Sequence, residues 1–117
     1  MRRPALLLFL LLALPGAAAA ANGPELYGRY CLACHGPMGA GQASPSRTIG
    51  PPLPGVGALA ADFYLETGYM PLKRNGLQPR RSRLFLSERQ IRALVAYVAS
   101  LGRGPTIPTP HPERGDV

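Results

Sequence analysis

The sequence predicts a small all-α domain with long loops, and three observations carry that expectation. Ile91, Leu94, Val95, Val98 and Leu101 repeat at helical spacing behind Ser87 and Gln90. Leu26, Tyr27, Tyr30, Cys31 and Cys34 fall on one face of a second helical stretch. No alternating pattern of the kind a half-buried strand needs lasts more than a few residues. The chain has 117 residues, 14 of them glycine and 14 proline, and no tryptophan. A domain this small and loop-rich sits near the limit at which a protein core suffices, and it calls for a disulfide, a metal or a large cofactor. Two cysteines exclude a multi-disulfide scaffold. The length excludes a TIM barrel, a two-domain dinucleotide enzyme and a multi-span transporter.

Met1-Arg2-Arg3, the apolar run Ala5 to Leu14, then Pro15-Gly16 and Ala17 to Ala21 have the layout of a secretory signal. The expected cut follows Ala21, so residues 1–21 are a signal peptide or, if uncleaved, an N-terminal anchor. Either way the remainder is exported, to the periplasm or the outer face of the cytoplasmic membrane. Pro4 and the leucine run that follow Arg2-Arg3 argue against a twin-arginine signal.

Gly23-Pro24-Glu25 marks a helix start, with proline early and an acid in the first turn, and Gly36-Pro37 stops that helix. Gly36 to Gly57 holds six glycines and five prolines and reads as loop. Ala58 to Thr67 reads as a short helix closed by Gly68, and Met70 to Arg83 as loop again. Ser87 and Gln90 form a capping-box pattern ahead of the best-defined helix, Ser87 to Leu101, for which Gly102 supplies the stop. The expected domain covers 22–103, and the proline-rich 104–117 is a linker or tail.

Cys31-Leu32-Ala33-Cys34-His35 is C-x-x-C-H, the pattern of covalent c-type haem attachment. Residues i, i+3 and i+4 share one helical face. Cys31 and Cys34 can therefore bond to the two vinyl groups of one porphyrin while His35 turns its imidazole to the iron. Export agrees, since this attachment takes place outside the cytoplasm. A lone disulfide gives His35 no role, a thioredoxin-like pair lacks its βαβ context, and zinc lacks a ligand set. One haem c is the expected cofactor.

Met70, in Gly68-Tyr69-Met70-Pro71-Leu72, is the candidate second axial ligand; Pro71 favours an extended Met70 and stiffens the loop. The plainer use of Met70 is as core filler. Met38 lies too close to His35 to reach the other haem face, and His111 lies in the tail. In Gly50-Pro51-Pro52-Leu53 a rigid proline carbonyl suits the role of acceptor for the second ring N–H of a haem histidine. A proline-stiffened surface loop is the alternative.

With these pieces the chain resembles a class I cytochrome c over nearly all of Gly23 to Leu101. The resemblance implies a small fold of three or more helices with long loops around one haem, held by Cys31 and Cys34 with His35 and Met70 on the iron. It further implies that the Pro51 carbonyl accepts from His35, that Leu53 lines the haem pocket, and that Tyr97 packs on the N-terminal helix near Gly28. Many members hold a haem propionate with a tryptophan. This chain has none, leaving Tyr64, Tyr69 or Arg74 for that place. Gly55-Val56-Gly57-Ala58, Ala61-Asp62-Phe63, Thr67 to Leu72 and Ala96 to Gly102 are more closely similar to the first haem domain of the dihaem cytochrome c subunit of the bacterial cytochrome bcc complex, a menaquinol–cytochrome c reductase. The tail Pro112 to Val117 resembles the start of that subunit's link to its second haem domain. The chain is then either a shortened relative working alone or one haem domain of the larger subunit.

The resemblance implies an electron carrier, not an enzyme, with a quinol–cytochrome c reductase or terminal oxidase as redox partner and with possible membrane association. Lys73, Arg74, Arg80, Arg81 and Arg83 offer a docking face for acidic partners, or simply a solvated loop. The 13 basic residues against 6 acidic give a net charge of +7, and the balance stays positive without Arg2 and Arg3. Nucleic acid is not an expected partner, because the chain is exported and has no basic groove interleaved with aromatics. Asp62 and Glu66 read as a solvated helix face, not an acid–base pair. The rival functions are a haem enzyme or gas- or peroxide-binding protein with an open iron, and a structural subunit whose haem does not cycle.

Overall fold

The computed structural model describes residues 21–74 and 76–110. The signal segment up to residue 20, His111 and the link-like Pro112 to Val117 lie outside the described residues. Asn22 caps the first helix, α1 (Gly23–Tyr30), by accepting from the Glu25 N–H at 3.3 Å, with Pro24 in the first turn. The helix expected to run through to His35 breaks at Cys31 (φ −122, ψ −34) and resumes as the short α2 (Leu32–His35). Gly36, at φ 73, ends it.

A 3-10 turn at Pro37–Gly39 leads into an antiparallel hairpin, β1 (Gln42–Ser44) and β2 (Arg47–Gly50), with an irregularity between Gln42 and Ala43. This corrects the reading of Gly36 to Gly57 as loop throughout. The strands, Gln-Ala-Ser and Arg-Thr-Ile-Gly, are too short to show an alternating apolar pattern. Next come α3 (Gly57–Glu66) and α4 (Glu88–Ser100). The capping box forms in full: the Ser87 N–H donates to Gln90 Oε1 at 2.8 Å, and the Gln90 N–H donates to Ser87 Oγ at 3.2 Å. Gly102 does not stop α4 through a left-handed turn, because its φ is not positive. Its role is space, since a Cβ there would lie 3.0 Å from the Gly55 nitrogen. Among the described residues no helix is long and apolar enough to cross a membrane.

α4 is the centre of the packing, flanked by α1 and α3. Its buried face is Ile91, Leu94, Val95 and Val98, and Leu94 is fully inaccessible. Burying side chains of this size contributes about 1.5–3 kcal/mol each. Leu26 and Tyr27 of α1, Ala61 and Leu65 of α3, and Leu86 complete the core.

α1 and α4 come close together at Gly23, where a Cβ would lie 2.6 Å from the Ala93 carbonyl oxygen and 2.9 Å from Tyr97 Cβ. Gly28, the position expected to permit that approach, faces open space. The expected aromatic contact is made through Tyr27, the residue before Gly28, with the rings of Tyr27 and Tyr97 5.0 Å apart and tilted by 54°.

The tail also differs from expectation. α3 has no side-chain cap, and its Leu59 N–H donates instead to the Pro105 carbonyl at 3.1 Å. Packing therefore extends to Pro105, past the expected boundary at residue 103. A chain carbonyl satisfies one of the helix's unpaired first-turn donors.

The buried Tyr27 hydroxyl donates to the Gly36 carbonyl at 2.7 Å, joining α1 to the turn after α2. Burial pushes this phenol above its ordinary value of 10.0. A raised folded-state pKa means that the associated stability is fully present below pH 10.0 and is lost as pH rises through the folded value. Tyr27→Phe is expected to cost about 0.5–1.5 kcal/mol at neutral pH by removing this bond, the Gly36 carbonyl keeping the Gly39 N–H at 3.2 Å. It should also flatten the fall in stability above pH 10; denaturant melts of both proteins across that range check it.

Candidate functional site

α2, the turn after β2, α3, the Met70 turn and α4 together wall a cleft of about 390 Å³. Its lining is almost wholly apolar: Pro51, Pro52, Leu53 and Val56 on one side, Ala60, Ala61, Tyr64 and Leu65 from α3, and Leu94 and Val98 from α4. Three side chains with metal or thiol chemistry reach it, namely Cys31, His35 and Met70.

His35 is a buried polar residue, 8% exposed. Its Nδ1 lies 2.8 Å from the Pro51 carbonyl oxygen. A carbonyl can only accept, so Nδ1 carries a proton, and in the neutral ring it is Nε2 that holds the lone pair. The hairpin makes this bond possible. Gly50 passes so close to α2 that a Cβ on it would lie 2.1 Å from the Cys34 carbonyl oxygen. Below it, the His35 carbonyl accepts from the Gly41 N–H at 2.7 Å.

Cys31 and Cys34 are both half-buried and are not joined in a disulfide. Cys31 lines the cleft; Cys34 is not part of its wall. Burial, and then the neighbouring Cys34, push the Cys31 thiol up to about 11. A nucleophilic dithiol of the thioredoxin kind needs the opposite shift, so this environment suits a thiol kept protonated at neutral pH.

Met70 arrives on the turn after α3, where its N–H donates to the Tyr64 carbonyl at 3.0 Å. Of the residues proposed as pocket support, Pro51 and Leu53 line the cleft and Tyr97 does not. Tyr97 belongs to the α1–α4 crossing described above. Among the propionate candidates Tyr64 lines the cleft; Tyr69 stacks on Phe63 with ring centres 5.9 Å apart, and Arg74 is exposed away from the wall. Met38 is 72% exposed. Ser82 belongs to no recognisable motif, yet its hydroxyl donates to the Gly68 carbonyl at 2.6 Å beside the Met70 turn.

The donor set fits an iron porphyrin. An apolar slot suits the macrocycle, a free imidazole nitrogen and a thioether are the two iron ligands found together in cytochromes c, and a thiol stands at the wall for attachment.

Comparison with known proteins agrees with that chemistry. Residues 18–98 match the family model described as cytochrome c oxidase, cbb3-type, subunit III. The chain is 39% identical over 86 residues to the cytochrome bc1 complex cytochrome c subunit of Corynebacterium diphtheriae, covering 74% of this chain and 29% of that protein. To the subunit of the same name from Mycobacterium tuberculosis it is 40% identical over 86 residues, with the same coverage. For Corynebacterium efficiens the figures are 40% over 88 residues, 75% of this chain and 28% of the relative. The chain thus spans less than a third of the length of these relatives, consistent with one domain of them. Since the family model covers more than two thirds of the sequence and the cleft carries the matching donors, the chain belongs to the cytochrome c family, whose members carry covalently bound haem c.

Proposed function

We propose that this chain is a monohaem electron carrier in an exported respiratory chain, working with a quinol–cytochrome c reductase. The observation that carries the reading is the pairing in one apolar cleft of Met70 with a His35 whose tautomer is set by the Pro51 carbonyl. In this reading Cys31 and Cys34 tether one haem c, and His35 Nε2 and Met70 Sδ hold its iron. When bound, the haem supplies a one-electron couple, and a methionine ligand raises its potential relative to bis-histidine. With His35 and Met70 both committed to the iron, no position would be left for a substrate, which favours a carrier over an enzyme. Leu53, Val56, Leu65, Leu94 and Val98 keep water from the site. The Pro51 carbonyl holds the imidazole ring in one orientation and adds to its basicity.

The partner reading draws on the relatives, which are named as subunits of the cytochrome bc1 complex. The same loop that brings Pro79 to the cleft exposes Lys73, Arg74, Arg80, Arg81 and Arg83. Among the described residues none of these is in an ion pair, and the single pair is Glu88 with Arg92 at 2.7 Å. Unpaired cations beside the cleft favour docking to an acidic redox protein, a reductase subunit or terminal oxidase, at rates that fall with added salt. The signal-like residues 1–21 support placement in the periplasm or on the outer membrane face, soluble or membrane-associated.

The test combines haem staining of separated cell fractions with a redox titration of the purified holoprotein. The expected result is a stained band among exported proteins, one reversible one-electron wave and no carbon monoxide complex at neutral pH. Prompt carbon monoxide binding or peroxide turnover would replace the carrier with an open-iron haem protein. Absence of stain with the chain present would sink the haem reading for this chain.

A further inference from the structure

We infer that Ser82 is a positioning residue for Met70: its hydroxyl clasps the turn that carries the methionine and sets how often that side chain leaves the cleft. The inference rests on the reading of Met70 as an axial ligand.

The turn is fastened to α3 from one side. The Thr67 N–H donates to the Phe63 carbonyl at 3.1 Å, the Gly68 N–H to Leu65 at 3.3 Å and the Met70 N–H to Tyr64 at 3.0 Å. Beyond Met70, the described residues of 71–81 make no backbone–backbone hydrogen bond. Ser82 is where the chain is tied down again. Its Oγ–H donates to the Gly68 carbonyl at 2.6 Å, and its N–H reaches the Thr67 carbonyl at 3.4 Å.

The approach is tight. Gly68 sits at φ 71, and a Cβ on it would lie 2.2 Å from the Ser82 carbonyl oxygen, so glycine is needed for the serine to come this near. The contact is also anchored behind. Met70 and Pro71 face residues 82–86 across a void of only about 10 Å³, and Leu86 is buried in the core. Ser82 therefore closes onto the ligand turn a loop whose described residues make no other backbone–backbone hydrogen bond. Removing one such bond shifts a local opening equilibrium by about two- to tenfold.

Imidazole titrated into the ferric holoprotein reads that equilibrium, because it competes with the methionine for the iron and its apparent affinity follows the detached population. Ser82→Ala is expected to raise the apparent affinity about two- to tenfold, while Ser82→Thr, which keeps the hydroxyl, stays near wild type. If Ser82→Ala lowers the denaturation midpoint but leaves imidazole affinity unchanged, the serine is merely structural and the proposal is overturned. Met70→Ala separates the two levels of the argument. Tighter imidazole binding by Met70→Ala with Ser82→Ala at the wild-type value removes the clasp alone. Equal affinity in Met70→Ala and wild type removes the ligand reading and the clasp with it.

Discussion

Replacement of both Cys31 and Cys34 by alanine is expected to yield a chain that, isolated free of haem, does not fold. The reason lies in what the cleft borders. Leu65, Leu94 and Val98 are core residues and cleft walls at once, so the two helices that carry most of the core meet across the slot. Without a large apolar group in the slot the incompletely buried walls Leu53, Val56, Tyr64 and Met70 stay wet, and each forgoes part of the roughly 1.5–3 kcal/mol that full burial of such a side chain contributes. A native domain has only roughly 5–15 kcal/mol to lose. Much of the rest of this chain is loop, which adds ordering entropy without adding core. The measurement is far-ultraviolet circular dichroism of the double variant beside the holoprotein. A native-like helical spectrum would show that the protein core suffices and would remove the structural role assigned to the cofactor.

The second large effect is expected at Gly50. Alanine there would place Cβ 2.1 Å from the Cys34 carbonyl oxygen and 3.2 Å from the His35 nitrogen. Both neighbours are backbone, so no side chain can swing aside; the turn after β2 or α2 itself must move. Forced overpacking of this kind costs about 1–3 kcal/mol, and a backbone clash belongs at or above the upper end. The residue that moves with it is Pro51, whose carbonyl oxygen lies 2.8 Å from His35 Nδ1. Lengthening that bond makes the imidazole less basic and less able to stabilise oxidised iron. The potential should therefore rise, on the order of tens of millivolts, as stability falls. Thermal melts together with a redox titration of Gly50→Ala check both. A variant matching wild type in melting and potential would mean the close approach does not govern the histidine.

The sequence made some of this legible and hid the rest for definable reasons. Ser87 and Gln90 placed the start of α4 within a residue, because a capping box is local chemistry written in consecutive positions. That Cys31 and His35 reach one cleft and that Pro51 meets His35 was legible for the same reason, from consecutive positions and a rigidly held carbonyl. The break at Cys31 was not, since nothing in Tyr30-Cys31-Leu32 disfavours a continuous helix; tertiary packing imposes it. The hairpin was masked by the glycines and prolines that also build turns. Gly23 and Gly28 look alike on paper, and only the crossing with α4 tells which glycine is the contact. Ser82, between two arginines, resembles a solvated position, and its partner Gly68 lies 14 residues away. The Pro105 cap on α3 was hidden by a proline-rich context that reads as linker. Local chemistry was visible, and long-range backbone contacts were not.

The contact of Gly23 with Ala93 and Tyr97 has a consequence for how the molecule assembles. It joins segments about 70 residues apart in a domain of little more than 80, so the loop it closes is nearly the whole chain. A contact of that span rewards folding late, after most of the polypeptide has emerged and its entropy of closure has been met. The two ends of the domain hold one another, and a truncation of either should loosen the same seam. A chain built this way stays unfolded until α4 has emerged, and that is an interval in which the Cys31 and Cys34 thiols are accessible for cofactor attachment.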